Sequence, residues 1–187
     1  MMDYGAKFST GLKYAEFLQM YGTDEHRRRW DAFYEQVQLT PAQQELLSGF
    51  HRKMKVLCLA GTWCGDCVNQ CPIFEHFSQA SDKIDVRYFD RDANPDLAKE
   101  LPICGGARVP VVVFLSEDGQ LVGSYGDRTL SKYRQMAIEQ LGAACPTGLV
   151  PDDKPLQQAV VQDWLNEFER VQLLLRTSAR LRKLHND

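Results

Sequence analysis

The chain has 187 residues, of which 44% are hydrophobic and 25% are charged, and its formal net charge is −3. This length suffices for one hydrophobic core with extensions, and the composition is typical of a globular protein. The small negative charge gives no general attraction to nucleic acid or to an anionic membrane, so we expect neither as a partner.

The N-terminal segment MMDYGAKFSTGLKYAEF lacks the apolar stretch of a secretory signal. The longest apolar run, at 109–115, is too short to span a bilayer. We therefore expect a cytoplasmic protein. Because a reducing cytoplasm disfavours structural disulfides, the six cysteines are expected to be reactive thiols, ligands or core residues.

Residues 1–52 are predicted to form an N-terminal helical extension. Apolar residues recur there at helical spacing, which places each set on one helix face and predicts core or docking surface. The two sets are Tyr14, Phe17, Leu18 and Tyr21, and Trp30, Phe33, Tyr34 and Val37. Thr40 and Pro41 indicate a further helix start. We interpret the basic run from His26 to Arg29 as a solvated helix face rather than a polyanion site.

Residues 53–144 alternate strands and helices in the order β-α-β-α-β-β-α. The predicted strands are 56–60, 84–89, 110–115 and 120–125, the last two joined by a turn at 117–119. The predicted helices are 64–79, kinked at Pro72, then 94–101 and 130–141. This order implies a mixed sheet whose first two strands are parallel through a right-handed crossover.

Residues 145–187 are predicted to be a linker and a long C-terminal helix. The segment Cys145-Pro146-Thr147-Gly148 is typical of a turn-rich linker. An apolar stripe then follows Pro155, consisting of Leu156, Val160, Trp164, Phe168, Val171 and Leu175. The basic residues near its end, which suit a helix C-terminus, are Arg176, Arg180, Arg182 and Lys183. We expect this helix to dock across the core or across a partner subunit.

Three cysteines lie in the segment GTWCGDCVNQC, residues 61–71. If Cys64 lies where the strand ends and the helix begins, its sulfur faces the free N–H groups of the first turn, which favour a thiolate. Cys67 then lies one turn later on the same side, so the two sulfurs can close a short disulfide. Cys64 would be the exposed attacking sulfur and Cys67 the shielded resolving sulfur.

The segment Trp63-Cys64-Gly65-Asp66-Cys67, after a buried strand, resembles the W-C-G-P-C active site of thioredoxins. Further matching positions, in chain order, are Pro72, the segment Arg108-Val109-Pro110, Gly119 and Gly126. The resemblance covers roughly residues 53–144. It implies an α/β thioredoxin-like fold, with a mixed central sheet of four or more strands flanked by helices, to which N- and C-terminal helices are added.

The resemblance also implies how the site works. The peptide bond before Pro110 would be cis, and the Val109 backbone would pair with an extended substrate segment. Trp63 would supply a flat apolar platform beside the disulfide, with Gly65 and Asp66 between the two cysteines. Protein disulfides would be the substrates, and an external donor such as a thioredoxin reductase would supply electrons. No cofactor is expected, because the sequence has neither a G-x-G-x-x-G motif nor a phosphate-binding loop.

Two residues depart from the thioredoxin pattern. Asp66 replaces the usual proline; its backbone N–H would help to hold a Cys64 thiolate, whereas its carboxylate would oppose that charge, so we predict no direction for the pKa. An aspartate is also simply favourable near a helix N-terminus. Cys58 stands where thioredoxins have a buried carboxylate that assists proton transfer to the second cysteine. A neutral thiol is a poor substitute, which bears on the rate rather than on the type of reaction.

The remaining cysteines have several possible roles. We interpret Cys71 as a core residue, Cys104 as a loop cysteine without a role or as a regulatory thiol, and Cys145 as inert. A metal or cluster site built from Cys64, Cys67, Cys71 and Cys104 is disfavoured, because the C-x2-C-x3-C spacing differs from the usual ones. No metal site is predicted.

Two functional hypotheses follow from these residues. The first is a thiol–disulfide oxidoreductase that reduces protein disulfides through Cys64 and Cys67. The second is a redox-responsive protein-binding module with little turnover, in which the fold is a scaffold and the terminal helices engage a partner. Asp66 and the missing buried acid favour the second hypothesis slightly.

Overall fold

The computed structural model describes residues 2–141 and 155–187. Its described residues form a four-stranded sheet in the order β2-β1-β3-β4. The strands are β1 (Met54–Ala60), β2 (Ile84–Asp90), β3 (Val111–Ser116) and β4 (Leu121–Gly126). Strand β1 pairs in parallel with β2 and antiparallel with β3, and β3 pairs antiparallel with β4. This is the mixed sheet that the order of the predicted elements implies.

Helices precede, connect and follow these strands. They are α1 (Tyr4–Phe8), α2 (Tyr14–Tyr21), α3 (Asp24–Gln36), α4 (Pro41–Ser48), α5 (Gly65–Val68), α6 (Cys71–Ala80), α7 (Pro95–Glu100), α8 (Leu130–Leu141), α9 (Leu156–Thr177) and α10 (Ala179–His185). Helix α4 begins as predicted, because the Thr40 hydroxyl accepts a hydrogen bond from the Gln43 backbone N–H and Pro41 occupies the first turn. Among the described helices, none has the length and apolar character needed to cross a membrane.

The single kinked helix predicted over 64–79 is wrong, because the structure has two helices there. Pro72 has no N–H to donate to the carbonyl of Val68, and its ring would collide with that carbonyl in a continuous helix. The chain leaves helical geometry at Gln70 (φ −130°, ψ −45°) and resumes with Pro72 in the first turn of α6. The interruption separates Cys67 from Cys71.

The C-terminal helix is likewise divided, where one long helix was predicted. Ser178 has extended backbone geometry (φ −62°, ψ 115°) between α9 and α10. Its hydroxyl accepts a hydrogen bond from the Leu181 backbone N–H and so caps α10. A serine side chain competes with the helical backbone for such bonds, which makes it a favourable place for one helix to end and another to begin.

Helix α9 docks on the core, which is the first of the two positions expected for it. The Phe168 ring lies 5.1 Å from that of Phe77 in α6 and 5.2 Å from that of Phe114 in β3. The Trp164 ring meets Phe74 of α6 edge to face at 4.5 Å. These side chains are fully buried. Their contacts join the C-terminal helix to the sheet and to the helix that follows the cysteine pair.

The N-terminal helices pack beside β2. The Phe17 ring stacks on Tyr88 of β2 at 5.5 Å and lies 5.8 Å from Trp30. Except for Tyr34, the residues of the two sets predicted to be core or docking surface lie in the core or pack against it. Before α2, Leu12 forms an isolated antiparallel bridge with Tyr88, with N···O distances of 3.1 and 2.8 Å. The chain thus covers part of the outer edge of β2.

One buried core contains residues from all three predicted segments of the chain. The boundaries at 1–52, 53–144 and 145–187 stay a prediction. The predicted linker, including Cys145, lies outside the described residues.

Candidate active site

Cys64 lies at the junction of a strand and a helix, as expected. Strand β1 ends at Ala60, and Cys64 is the residue that caps the N-terminus of α5, with φ −80° and ψ 125°. Its side chain is partly exposed, whereas that of Cys67 is fully buried. The backbone N–H of Gly61 donates a hydrogen bond to Cys67 Sγ at 3.4 Å. The structure therefore brings together one accessible sulfur and one shielded sulfur.

The thiols of Cys64 and Cys67 ionise as a pair. The hydrogen bond with Cys67 and burial raise the pKa of Cys64. Burial opposes ionisation of Cys67, but hydrogen bonds with the thiols of Cys64 and Cys71 and with the Gly61 N–H outweigh burial and lower the pKa of Cys67 from 9.0 to about 5. The reduced pair therefore loses one proton readily and retains the other between its two sulfurs.

The segment before β3 faces this pair. The peptide bond between Val109 and Pro110 is cis, as the resemblance implies. The Cys64 thiol donates a hydrogen bond to the Val109 carbonyl oxygen, with a distance of 3.5 Å between Sγ and oxygen. The Val109 backbone thus lies beside the accessible sulfur, where an extended segment of another chain could meet both.

Trp63 lies at the rim of the site, with 40% of its surface exposed. The guanidinium of Arg91 stacks over its ring at 4.4 Å, a favourable cation–π contact. The ring also packs closely on Gly61, where an added Cβ would lie 2.7 Å from it. The Trp63 ring is therefore held in place and presents a partly exposed apolar surface. The role of Arg91 could not be predicted from the sequence, because stacking between a guanidinium and a ring has no fixed spacing along the chain.

The N-terminal helices hold the loop that precedes Cys64. The Thr62 hydroxyl donates a hydrogen bond to the Tyr21 carbonyl at 3.0 Å and so accepts one from His26 Nδ1 at 3.1 Å. The indole N–H of Trp30 donates to the Thr62 carbonyl at 2.9 Å. The interpretation of the basic run as a solvated face therefore fails at His26, whose ring contacts the active-site loop, although Arg28 and Arg29 are exposed.

Asp66 belongs to a network of charged side chains at the same end of the sheet. Its carboxylate lies 2.6 Å from the guanidinium of Arg128, which also lies 3.3 Å from Asp127. The buried Asp127 carboxylate accepts hydrogen bonds from the Tyr133 hydroxyl and, at 3.3 Å, from Arg108. The network thus connects the residue between the two cysteines with the segment before Pro110.

Both effects expected of Asp66 are present, but they act on different sulfurs. Against the larger effects of Cys67 and burial, the backbone N–H of Asp66 lowers the pKa of Cys64. The carboxylate of Asp66, like burial, opposes the net lowering of the pKa of Cys67. The two opposite effects on pKa that the sequence predicted for Asp66 are therefore separated in space. Its N–H group acts on Cys64, and its carboxylate acts on Cys67.

Gln70 occupies the break between α5 and α6 and is buried. Its Nε2 donates to the carbonyl oxygens of Asp66 at 3.1 Å and Asp127 at 2.9 Å. Its Oε1 accepts from the indole N–H of Trp164 at 2.9 Å. One side chain therefore joins the cysteine helix, the Asp127 loop and α9. Sequence reasoning missed it, because a continuous helix would have given it no special place.

The remaining cysteines divide into a buried pair and an exposed residue. Cys58 and Cys71 are fully buried, and their sulfurs lie 3.8 Å apart. Cys104 is exposed in the loop between α7 and β3. In residues 2–141 and 155–187, no group of three or more His, Cys, Asp or Glu side chains is arranged to hold a metal ion.

The family model described as thioredoxin matches residues 11–140. The chain belongs to the thioredoxin family. The α/β thioredoxin-like fold with added helices, predicted from the cysteine motif and its neighbours, is confirmed. The match also takes in residues 11–52, which includes the helices that hold Thr62. No curated protein matches the sequence.

Several solved structures are similar to this thioredoxin-family chain. A protein of unknown function from Pseudomonas aeruginosa is 18% identical, with a TM-score of 0.70 over 91% of this chain and 97% of that one. An HIV epitope-scaffold protein is 19% identical, with a TM-score of 0.64 over 95% and 100% of the two chains. Mitochondrial thioredoxin 3 of Saccharomyces cerevisiae, in its oxidised form, is 29% identical over 50% of this chain and 86% of its own, with a TM-score of 0.34. The first two show that the fold extends over nearly the whole chain, and they carry no activity to it.

Proposed function

We propose that this thioredoxin-family protein is a thiol–disulfide oxidoreductase that reduces protein disulfides through the Cys64–Cys67 pair. The observation that carries the proposal is the arrangement of the two sulfurs. Cys64 is accessible at the start of α5 and lies 3.5 Å from the Val109 carbonyl, while Cys67 is buried behind it. This arrangement suits attack by one sulfur and resolution by the other.

The lowered pKa of Cys67 places the charge of the ionised pair mainly on that sulfur, so the reaction begins when the proton shared by the two sulfurs moves from Cys64 to Cys67 and leaves the negative charge on the accessible Cys64. The Cys64 thiolate attacks one sulfur of a substrate disulfide, and the other substrate sulfur leaves as a thiolate and takes up a proton. Cys67 then loses its proton and attacks Cys64 in the mixed disulfide. The Cys64–Cys67 bond forms, the second substrate thiol leaves, and the substrate has gained two electrons and two protons.

The rim of the site supplies the contacts for such a substrate. The backbone of Val109, next to the cis Pro110, would pair with an extended segment around the substrate disulfide. Trp63 would cover its apolar side chains, and Gly65 leaves space beside the attacking sulfur. Asp66 is engaged by Arg128 at 2.6 Å, so the charge that a substrate meets at this position is partly balanced.

An external donor such as a thioredoxin reductase would return the Cys64–Cys67 disulfide to the dithiol. We infer no resident cofactor, and neither nucleic acid nor a membrane is proposed as a partner. We propose the cytoplasm as the compartment, because a protein that reduces disulfides needs a reducing compartment in which its own cysteine pair is returned to the dithiol.

Substitution of each cysteine tests the proposal. With dithiothreitol as reductant, the wild-type protein should catalyse reduction of insulin disulfides, and Cys64→Ser should lower this rate to the uncatalysed level because the attacking sulfur is lost. Cys67→Ser should instead accumulate mixed disulfides through Cys64, detected by mass spectrometry. Cys104→Ser, which changes an exposed loop cysteine, is the matched control and should retain the wild-type rate. Turnover that survives in Cys64→Ser would show that another group is the nucleophile.

The rival function is a redox-responsive binding module with little turnover. It is favoured by Cys58, a neutral thiol that lies fully buried where the family pattern has an acid. A module would form the Cys64–Cys67 disulfide without turnover and would bind its partner with different affinity in the two redox states. The insulin assay and a comparison of proteins captured by the oxidised and reduced forms separate the two functions.

A further inference from the structure

The buried thiols of Cys58 and Cys71 lie next to the Cys64–Cys67 pair, on its inner side. Cys58 extends from β1 and Cys71 from the first turn of α6, and their sulfurs lie 3.8 Å apart. Neither side chain has any exposed surface. The thiol of Cys67 forms hydrogen bonds with those of Cys64 and Cys71. The four sulfurs are therefore successive neighbours, from the accessible Cys64 through Cys67 and Cys71 to Cys58.

We propose that Cys58 and Cys71 are a second redox pair, which receives a disulfide from the Cys64–Cys67 pair and lets one chain hold four exchangeable electrons. This inference rests on the proposed function, because the surface pair must first be oxidised by a substrate disulfide. The second pair has no route of its own to solvent, since both sulfurs are fully buried.

The transfer proceeds by two exchanges within the chain. The Cys71 sulfur attacks Cys67 in the Cys64–Cys67 disulfide; the Cys67–Cys71 bond forms, and Cys64 leaves and takes up the proton that Cys71 released. The Cys58 sulfur then attacks Cys71; the Cys58–Cys71 bond forms, and Cys67 leaves with the proton of Cys58. No electrons enter or leave the chain in these steps, and the surface dithiol is restored for a second substrate disulfide.

The local structure allows this exchange. A disulfide brings its two sulfurs to about 2.05 Å, so the 3.8 Å contact between Cys58 and Cys71 must close by less than about 2 Å. The break at Gln70 separates Cys67 from Cys71, so the two are not fixed by one regular helix. The Tyr88 hydroxyl donates to the Cys71 carbonyl at 3.1 Å and holds this end of α6 against β2.

Burial should make the inward transfer slow and dependent on pH. When Cys67 is held in the surface disulfide, burial, which has the largest effect, and the thiol of Cys58 still raise the pKa of Cys71, so its thiolate is scarce. The other titratable groups near it are the phenols of Tyr88 and Tyr14, which burial keeps uncharged by raising their pKa values, and the carboxylate of Glu75, which adds to that effect on both phenols. The rate of the second disulfide should therefore increase about tenfold per pH unit around neutrality.

The experiment follows both disulfides in the intact, reduced chain. The protein is treated with excess oxidised glutathione, quenched with acid at intervals, alkylated after denaturation and mapped by mass spectrometry. The Cys64–Cys67 disulfide should appear first and the Cys58–Cys71 disulfide more slowly, with four thiols lost in total from these positions. Cys104, an exposed cysteine that takes no part in the proposed exchange, is the internal control in the same chain.

Variants test the route. Cys64→Ser should slow formation of the Cys58–Cys71 disulfide at least tenfold, since the buried pair then has no accessible sulfur to pass a disulfide inward. Cys71→Ala should stop at the Cys64–Cys67 disulfide, Cys58→Ala should go no further than exchange between the Cys64–Cys67 and Cys67–Cys71 disulfides, and Cys104→Ser should form both disulfides at the wild-type rates. The wild-type time course itself needs no substitution, so the test does not depend on how well these variants fold.

The possible results separate this inference from the proposed function. If the wild-type chain forms the Cys64–Cys67 disulfide and Cys58 and Cys71 remain free at equilibrium, the second pair is wrong and the oxidoreductase proposal stands. If the Cys64–Cys67 disulfide does not form, both are wrong. Formation of the Cys58–Cys71 disulfide at an unchanged rate in Cys64→Ser would show that the second pair is not oxidised through the Cys64–Cys67 disulfide.

Discussion

Asp66 illustrates how much the position of one residue within a four-residue motif determines. Its backbone N–H favours the charged form of Cys64, while its carboxylate disfavours the charged form of Cys67. Arg128, at 2.6 Å, reduces the second effect without removing it. Replacing the usual proline with aspartate therefore adds a stabilising contact to one sulfur and a repulsive charge near the other.

Asp66→Asn should make the reduced pair ionise at lower pH. The substitution keeps the backbone N–H and removes the carboxylate, and it leaves Arg128 as a nearby positive charge. The pKa of the first thiol to ionise should fall by roughly half a unit to one unit. Ultraviolet thiolate absorbance during a pH titration measures it. Asp92→Asn, at an exposed aspartate paired with Arg91, is the matched control and should leave the pKa unchanged; an increase in Asp66→Asn would contradict the assignment.

At the scale of elements, the break between α5 and α6 is what connects the active site to the rest of the fold. Pro72 ends the helical hydrogen-bonding pattern, and Gln70 fills the gap with bonds to Asp66, Asp127 and Trp164. These three partners come from three different elements of the chain. Gln70 thereby joins α9 to Asp66, which lies between the two cysteines.

Gln70→Leu should lower the free energy of unfolding by about 2–4 kcal/mol. The leucine fills the space but leaves the Trp164 indole N–H and the Asp127 carbonyl buried without this partner, and each such loss costs roughly 1–3 kcal/mol. Urea unfolding measures the change. Gln36→Leu, at an exposed position at the end of α3, should change stability by less than about 0.5 kcal/mol. A loss in Gln70→Leu no larger than in this control would show that the bonds of Gln70 do not stabilise the fold.

The elements could be predicted from the sequence where the pattern is local. Periodicity and the Thr40-Pro41 cap located the helices and strands, and the cysteine motif located Cys64 at a strand end. What could not be predicted depends on contacts between distant segments. No regular spacing in the sequence indicates such contacts. They are the hydrogen bonds of Gln70, the stacking of Arg91 on Trp63 and the hydrogen bonds that hold Thr62 to α2 and α3.

At the scale of the whole molecule, the stability of the reduced protein should depend on the ionisation of the cysteine pair. Cys67 has a pKa of about 5 in the folded protein and an ordinary value of 9.0. Between these values the unfolded chain binds a proton that the folded chain has lost, so the free energy of unfolding rises with pH. This contribution is lost as the pH falls through 5. The raised pKa of Cys64 has the opposite effect, but only above pH 9.

The expected change is an increase of up to about 1.4 kcal/mol per pH unit between pH 5 and pH 9. Denaturant unfolding of the reduced protein at several pH values measures it. The oxidised protein has no thiol at Cys64 or Cys67 and provides the baseline that contains every other titrating group. If the reduced and oxidised forms change in parallel over this range, the lowered pKa of Cys67 is contradicted.

The bridge from Leu12 to Tyr88 has a consequence for how the protein meets other chains. Outer strands of a sheet offer unpaired backbone groups to any extended chain, and proteins protect themselves from aggregation by covering them. Here β2 is an outer strand, and its residue Tyr88 is already engaged on the outer side by Leu12. In the described part of the chain, no strand pairs with the outer side of β4. A peptide or a second copy that extends the sheet should therefore add more readily at β4 than at β2, where Leu12 already occupies one position of the outer edge.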